Sequence, residues 1–216
     1  MLELYNTINT DISVFDDPYS RALRFKSGNL VKYFDITKHF HLLNDNQDKK
    51  IIKFLIYNKL VYIIPLELQN SEIYAFDYKS VESKSFIRKK LLGYEYCPVV
   101  FGLNDIDRFD IPIIMIEGVK DCMAVKQRYK YCIAYLTSAP QEKLFVYLQS
   151  ISKKLIFIPD NDKVGRKIEQ IEKYKQNSKY YSLTKDFGDY FLSYDQRYMI
   201  LLDHIIDKEG LDINGL

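Results

Sequence analysis

The sequence predicts an α/β protein: a parallel sheet with helices on both faces, preceded by a smaller α+β subdomain. From residue 112 onward, short and nearly continuous apolar runs alternate with helical segments, which is the pattern of a parallel sheet covered on both faces. Before residue 108, a helical stretch over 50–57 is followed by two β-rich runs, 60–65 and 73–78, which suggest an antiparallel hairpin. The pattern of predicted secondary structure therefore changes near residues 108–112.

The elements of the second part follow one another in strict alternation. We predict strands over 112–116, 132–136, 155–158 and 180–183. We predict helices over 119–130, 140–149, 164–174 and 194–206, the second of them opened by Pro140, a favoured first-turn residue. Residues 1–46 are polar and only weakly periodic. The predicted domains are 1–110 (an N-terminal α+β subdomain with a basic patch), 111–192 (the parallel sheet) and 193–216 (a C-terminal helix and tail).

Composition excludes several classes of protein. With 216 residues, 47% of them hydrophobic and 28% charged, the chain is ordinary globular material and not a disordered or fibrous protein. The three cysteines are too few and too scattered for a disulfide framework, and no C-x-x-C pair exists for a zinc ribbon. The most apolar stretch, 51–68, carries Lys53 and Lys59, and the start resembles no secretory signal. We therefore expect a cytoplasmic protein with no membrane partner.

The net charge of +2 hides an uneven distribution. Residues 1–110 balance to zero, residues 111–192 carry +5, and residues 193–216 carry −3. Within the first part, residues 49–90 alone carry +5. Two basic blocks therefore lie inside a nearly neutral chain, either as solvated helix faces or as contacts to an anionic partner.

Acidic residues follow two of the predicted strands. Glu117 comes directly after the first strand, and Asp160 and Asp162 come after the third as a D-x-D turn. Ligands of open parallel sheets bind beyond the carboxyl ends of the strands, so these carboxylates are expected in one crevice. Grouped carboxylates with no nearby His or Cys favour a hard cation, Mg²⁺ or Mn²⁺, and such a site suits phosphoryl or nucleotidyl transfer. A lone D-x-D or Glu-Gly is common in turns, and the joint placement is what carries the prediction.

These motifs resemble those of the Toprim superfamily. The run 113–121 (IIMIEGVKD) is similar to the first Toprim motif, and 155–167 (LIFIPDNDKVGRK) resembles the second, followed by the G-R-K typical of bacterial and phage-type DNA primases. The run 185–190 (KDFGDY) looks like a later primase signature, with Gly188 where many primases have an acid. The lead-in over 61–103 is loosely similar to the N-terminal subdomain of a primase catalytic core.

The resemblance implies a DNA primase catalytic core that makes short RNA primers on single-stranded DNA from ribonucleoside triphosphates. It implies catalysis by Glu117, Asp160 and Asp162, and a Mg²⁺ or Mn²⁺ site formed by these three with Asp121 and Asp186. It implies nucleic-acid or nucleotide contacts from Lys79, Lys84, Arg88, Lys89, Lys90, Arg166 and Lys167. If the chain is phage-encoded, its location would be the host cytoplasm.

The sequence also lacks modules that often accompany such a core. The Cys and His residues do not have the spacing of zinc ligands, so no zinc is expected. The sequence has no Walker A motif, so a fused helicase is not expected. A replicative helicase or a zinc-module protein supplied in trans is therefore a possible partner. Two alternatives stay open: a Toprim nuclease or processing factor that hydrolyses phosphodiesters, and a non-catalytic Toprim module that binds nucleic acid.

Tyrosine is abundant, with 19 residues against no tryptophan. Exposed tyrosines in or near the first basic block could stack template bases. The residues concerned are Tyr57, Tyr62, Tyr74, Tyr78, Tyr94 and Tyr96. For most of them we favour the simpler explanation of an AT-biased genome, since Lys outnumbers Arg 24 to 7 and Asn, Ile and Tyr are all plentiful.

Overall fold

The computed structural model describes residues 1–8, 31–137, 139–159, 178–181 and 197–211. The chain divides into two compact units, one made of Met1–Leu66 with Ile73–Tyr96, and the other of Glu67–Glu72 with Cys97–Leu216. The domain boundary predicted near residue 110 stays a prediction, and the one near residue 192 lies outside the described residues.

The first unit contains a four-stranded sheet with helices around it. Its described elements are α1 (Leu2–Thr7), β1 (Lys32–Asp35), α2 (Ile36–His39), a 3₁₀ turn (Phe40–Leu42), α3 (Lys49–Asn58), β2 (Leu60–Glu67), β3 (Ile73–Ser80) and β4 (Phe86–Lys90). The strands lie in the order β1-β2-β3-β4, with β1 antiparallel to β2 and β4 antiparallel to β3. This confirms the predicted helix over 50–57 and the two predicted strands that follow it. It adds β1 and β4, which the sequence did not predict.

Helix α3 illustrates how the sequence builds this unit. Asp48 caps its first turn, because the side chain accepts a hydrogen bond of 2.9 Å from the backbone N–H of Lys50. Ile51 and Leu55, four residues apart on one face, are buried with Phe34 and Phe76 in the core of the unit. The helix ends at Asn58, and the cap residue Lys59, with a positive φ of 56°, turns the chain into β2.

The second unit contains a parallel sheet. Its described elements are a 3₁₀ turn (Leu103–Asp105), β5 (Ile111–Ile116), α4 (Val119–Lys126), β6 (Cys132–Ala134), α5 (Glu142–Ile151), β7 (Ser152–Ile158), β8 (Ser178–Tyr180) and α6 (Arg197–Glu209). The strands lie in the order β6-β5-β7-β8, and each neighbouring pair is parallel. Because β5 and β7 are central, their apolar residues are buried almost without interruption, as the sequence predicted.

Several predicted boundaries differ from the observed ones. Helix α4 ends at Lys126 instead of residue 130, because its last turn tightens into i→i+3 bonds and the Gln127 side chain donates to the Met123 carbonyl at 2.9 Å. Strand β6 ends at Ala134 instead of residue 136, and Leu136 has a left-handed φ of 55°. Helix α5 begins after Pro140, because the backbone of its cap residue Gln141 is extended. The predicted helix over 164–174 lies outside the described residues.

None of the helices in the described part of the chain is long and apolar enough to cross a bilayer.

Candidate nucleotidyl-transfer site

Glu117 lies where β5 ends, at the carboxyl edge of the parallel sheet. Its backbone carbonyl accepts a 3.0 Å hydrogen bond from Leu136, and the carbonyl of Ile116 accepts a 2.9 Å bond from Tyr135. Leu136 makes its bond from the left-handed conformation, which costs a non-glycine residue about 1 kcal/mol. The segment after β6 therefore fixes the position of the Glu117 backbone, while the Glu117 side chain is half-buried with its Oε2 atom shielded from solvent.

Gly118 and Asp121 form the turn from β5 into α4. Gly118 is the cap residue of the helix, and Asp121 occupies its third position, where a carboxylate interacts favourably with the helix dipole. A Cβ atom at residue 118 would lie 3.2 Å from the Asp121 Oδ2 atom, so the glycine leaves room for this carboxylate. Asp121 is only 7% exposed. Two carboxylates, Glu117 and Asp121, thus come from one tight turn at the sheet edge.

The register of the sheet bears on the other predicted acids. β5 pairs with β7 so that Ile116 lies opposite Ile158, and neighbouring strands are about 4.8 Å apart. Glu117 follows Ile116 directly, and Asp160 stands two residues after Ile158 in the sequence. Asp160, Asp162, Asp186, Arg166 and Lys167 themselves lie outside the described residues. In the ranges that the structure describes, no three acidic, histidine or cysteine side chains form a cluster able to hold a metal ion.

The basic residues predicted in the first unit have different surroundings. Arg88 makes a bidentate ion pair with Asp77, its neighbour across β3 and β4, at 2.5 and 2.7 Å. Lys89, on the opposite face of β4, lies 2.7 Å from a carboxylate oxygen of Asp48. Each of these two cations therefore already has an acidic partner in the same unit.

The other three cations predicted in this unit have different positions. Lys90 donates from Nζ to the backbone carbonyl of Glu95 at 2.7 Å. Lys84 is exposed in the turn between β3 and β4, and Lys79 is half-buried on β3. Of these three, Lys84 is the most exposed to an anionic partner.

Five of the six tyrosines near the basic block fall into two groups, and the sixth, Tyr94, is half-buried with its ring centre 6.4 Å from that of Tyr74. Tyr62, Tyr74 and Tyr78 are core residues, whereas Tyr57 and Tyr96 are each 86% exposed. The composition-based explanation therefore applies to the first group, and only the second could stack bases.

Sequence reasoning did not single out Phe86. It is exposed at the start of the edge strand β4, and the Arg88 guanidinium lies 5.8 Å from the centre of its ring. The signal that could have found it is the two-residue period of a strand, which places Phe86 on the same face as Arg88.

Searches with protein-family models and among curated proteins found no match to this sequence. Among solved structures, the chain is similar to the RNA polymerase domain of Mycobacterium tuberculosis primase DnaG in complex with a double-stranded DNA oligomer with a 6-nucleotide overhang. That match has a TM-score of 0.63 at 17% identity and covers 93% of this chain and 75% of that one. A DnaG primase catalytic domain bound to single-stranded DNA matches with a TM-score of 0.62 at 10% identity, over 94% of this chain and 76% of that one.

A phage structure belongs to the same group of neighbours. The primase fragment of the bacteriophage T7 primase-helicase protein matches with a TM-score of 0.52 at 16% identity, over 66% of this chain and 62% of that one. The matches to both DnaG domains span the two units described above, so the likeness concerns their succession in one chain and not the parallel sheet alone. The chain has the fold of the bacterial and phage-type DNA primase catalytic core.

Proposed function

We propose that the chain is the catalytic core of a DNA primase, which synthesises short RNA primers on single-stranded DNA by metal-dependent nucleotidyl transfer. The observation that carries the proposal is the edge of the parallel sheet, where the Glu117–Asp121 turn ends β5 and the paired strand β7 leads into the D-x-D of the sequence. The likeness to primase catalytic cores supports it, and so does the resemblance of 113–121 and 155–167 to Toprim motifs.

The described residues fit a hard divalent cation. Glu117 and Asp121 contribute only carboxylate oxygens at this edge, and the sulfur of the neighbouring Cys122 contacts the carbonyl of Cys132 instead. Glu117, Asp121, Asp160, Asp162 and Asp186 would hold Mg²⁺ or Mn²⁺. When bound, the cation would offset the charge of the triphosphate and of the leaving pyrophosphate.

The chain's own groups would position the reactants. Backbone hydrogen bonds from the segment after β6 position Glu117 at the strand end. Its carboxylate would receive the proton of the attacking 3′-hydroxyl or fix the orientation of that hydroxyl. Lys84, Lys90 and the exposed rings of Phe86 and Tyr96 would contact template phosphates and bases. Arg88 and Lys89 would do so only after giving up Asp77 and Asp48. Arg166 and Lys167 would meet nucleotide phosphates.

Partners follow from the same proposal. The template is single-stranded DNA and the substrates are ribonucleoside triphosphates. A replicative helicase or a zinc-module protein is a further proposed partner.

Primer synthesis tests the proposal directly. The protein is incubated with single-stranded DNA, Mg²⁺ or Mn²⁺ and labelled ribonucleotides, and short RNA products are expected. Glu117→Gln keeps the size of the side chain and removes its charge, so it should lower synthesis by roughly a hundredfold or more. Glu82→Gln makes the same change at an exposed residue of the first unit and should leave synthesis unchanged.

The same assay separates the alternatives. Shortened input strands without incorporation would indicate a nuclease. DNA binding with neither incorporation nor cleavage, unchanged by Asp160→Asn or Asp162→Asn, would indicate a non-catalytic module. The melting temperatures of Glu117→Gln and Glu82→Gln are compared with that of the parent, so that a loss of synthesis is distinguished from a loss of folding.

A further inference from the structure

A second concave site lies in the same unit, at the opposite edge of the parallel sheet. It is a cavity of about 270 Å³ at the amino ends of β5 and β7, whereas Glu117 follows the carboxyl end of β5. Six residues of β5 separate the two edges, which is roughly 17 Å of extended chain. The cavity therefore belongs to a different part of the surface from the proposed catalytic edge. Its lining includes Arg108, Asp110, Tyr129, Tyr131, Lys153 and Lys154.

The charged groups of this cavity are unequally paired. Lys154 makes an ion pair with Glu209, which also accepts a hydrogen bond from the hydroxyl of Tyr181. Arg108 and Lys153 are exposed, and within the described part of the chain neither makes an ion pair or a side-chain hydrogen bond. Asp110 is the one other acidic side chain in the lining. Two uncommitted cations thus face one uncommitted carboxylate.

Hydrogen bonds tie together the two chain segments that carry these cations. The N–H of Asp110 donates to the carbonyl of Ile151 at 2.9 Å, and the hydroxyl of Ser152 donates to the carbonyl of Ile111 at 2.7 Å. Arg108 lies two residues before the first of these ties, and Lys153 follows directly after the second. Their backbones are therefore positioned before any ligand arrives, which lowers the entropy lost on binding.

The floor of the cavity is aromatic and rigid. Tyr129 and Tyr131 are both almost fully buried, their rings pack edge to face with centres 5.6 Å apart, and the Tyr129 hydroxyl donates to the Pro112 carbonyl at 2.7 Å. Gly210 completes the wall without a side chain, and a Cβ atom there would meet nothing within 4 Å. A firm floor beneath a cationic rim suits a compact anion better than a long flexible one.

We propose that this cavity binds a small phosphorylated molecule, with its phosphate or diphosphate group between Arg108 and Lys153. The guanidinium can contact two phosphate oxygens at once, and the ammonium adds a mobile point charge. Asp110 opposes the anion and keeps binding weak enough to be reversible. The site is separate from primer synthesis, and its ligand enters from the face opposite the Glu117 edge.

Titration of the protein with inorganic pyrophosphate tests the site. Calorimetry at low salt and without divalent cations is used, because screening weakens exposed contacts and metal-bound phosphate could occupy the catalytic edge. Arg108→Ala with Lys153→Ala should weaken binding by roughly tenfold or more. Asp110→Asn should tighten it several-fold, because it removes the opposing charge. Lys53→Ala, at an exposed lysine of the first unit, should leave pyrophosphate binding unchanged.

ADP forms the second arm, since the same diphosphate group occurs free or on a nucleoside. Binding of pyrophosphate or ADP that is lost in the double variant supports the site. The absence of binding overturns the proposal, and so does binding that the double variant retains. Binding of an oligonucleotide that depends on Arg108 and Lys153, with no binding of pyrophosphate or ADP, also overturns it. Primer synthesis by the double variant is measured alongside, so a failure of the proposed enzyme activity is distinguished from a failure of this site.

Discussion

The ion pair between Lys126 and Asp105 gives the sharpest stability prediction. The Lys126 side chain is 0% exposed, whereas that of Asp105 is 23% exposed. Asp105→Ala leaves an ammonium group buried without its partner, which costs about 3 kcal/mol. Lys126→Met leaves a carboxylate that can still reach water, and methionine fills much of the lysine's volume. We expect that change to cost only about 1 kcal/mol.

Urea unfolding followed by circular dichroism measures this asymmetry. With a slope of about 3 kcal/mol per molar urea for a chain of this size, Asp105→Ala should lower the midpoint by about 1 M. The double variant Asp105→Ala/Lys126→Met should be close to Lys126→Met alone, because the buried charge has gone. The reasoning is refuted if Asp105→Ala shifts the midpoint less than Lys126→Met does, or if the two effects simply add.

Three further predictions concern single residues. Burial, and next the charge of Asp105, raise the pKa of Glu67 in the folded chain. The parent therefore loses stability as pH rises through the range in which this carboxyl ionises, and Glu67→Gln should gain stability relative to the parent between pH 4 and 7. Gly102 has φ 83°, and a Cβ atom there would lie 2.8 Å from the Lys126 amine and 3.0 Å from the Cys132 carbonyl. Gly93 has φ 90° but nothing within 4 Å of a Cβ atom, so Gly93→Ala should lower the free energy of unfolding by roughly 1 kcal/mol and Gly102→Ala by well over that. The Tyr78 hydroxyl is buried with no hydrogen-bond partner among the described residues, so Tyr78→Phe should raise the melting temperature, whereas Tyr129→Phe removes a 2.7 Å bond and should lower it.

Each of these has an outcome that would contradict it. A pH-independent difference between Glu67→Gln and the parent would show that this carboxyl titrates alike in the folded and unfolded chains. Equal costs for the two glycine substitutions would show that the contacts around Gly102 relax freely. A lower melting temperature for Tyr78→Phe would mean that its hydroxyl has a partner in the folded protein.

The central strands and the carboxyl edge of the sheet could be predicted because short, continuous segments of the sequence indicate them. The run over 111–116 is apolar at almost every position, and Glu117-Gly118 follows it at once. Strand β1 could not be predicted in this way. It has four residues, and it forms because Tyr33 lies opposite Tyr62 and Phe34 opposite Val61, pairs that depend on the register with β2.

The ion pairs could not be predicted from the sequence either. Arg88 meets Asp77 because β3 and β4 pair in one register, and Lys126 meets an acid 21 residues earlier in the chain. In the sequence both basic residues look like solvated or ligand-binding cations. Composition and spacing can propose a charge cluster, but only tertiary structure decides which charges remain available to a ligand.

The interleaving of the two units along the chain affects how the protein can be dissected. Residues 67–72 interrupt the first unit and belong to the second. There, Glu67 accepts a 2.7 Å hydrogen bond from Asn104, and Gln69 donates to the carbonyl of Ile106 at 2.7 Å. A fragment starting at Cys97 would lack these partners. Expression of the parallel-sheet unit by itself therefore requires that residues 67–72 be supplied as a peptide or joined to a permuted terminus.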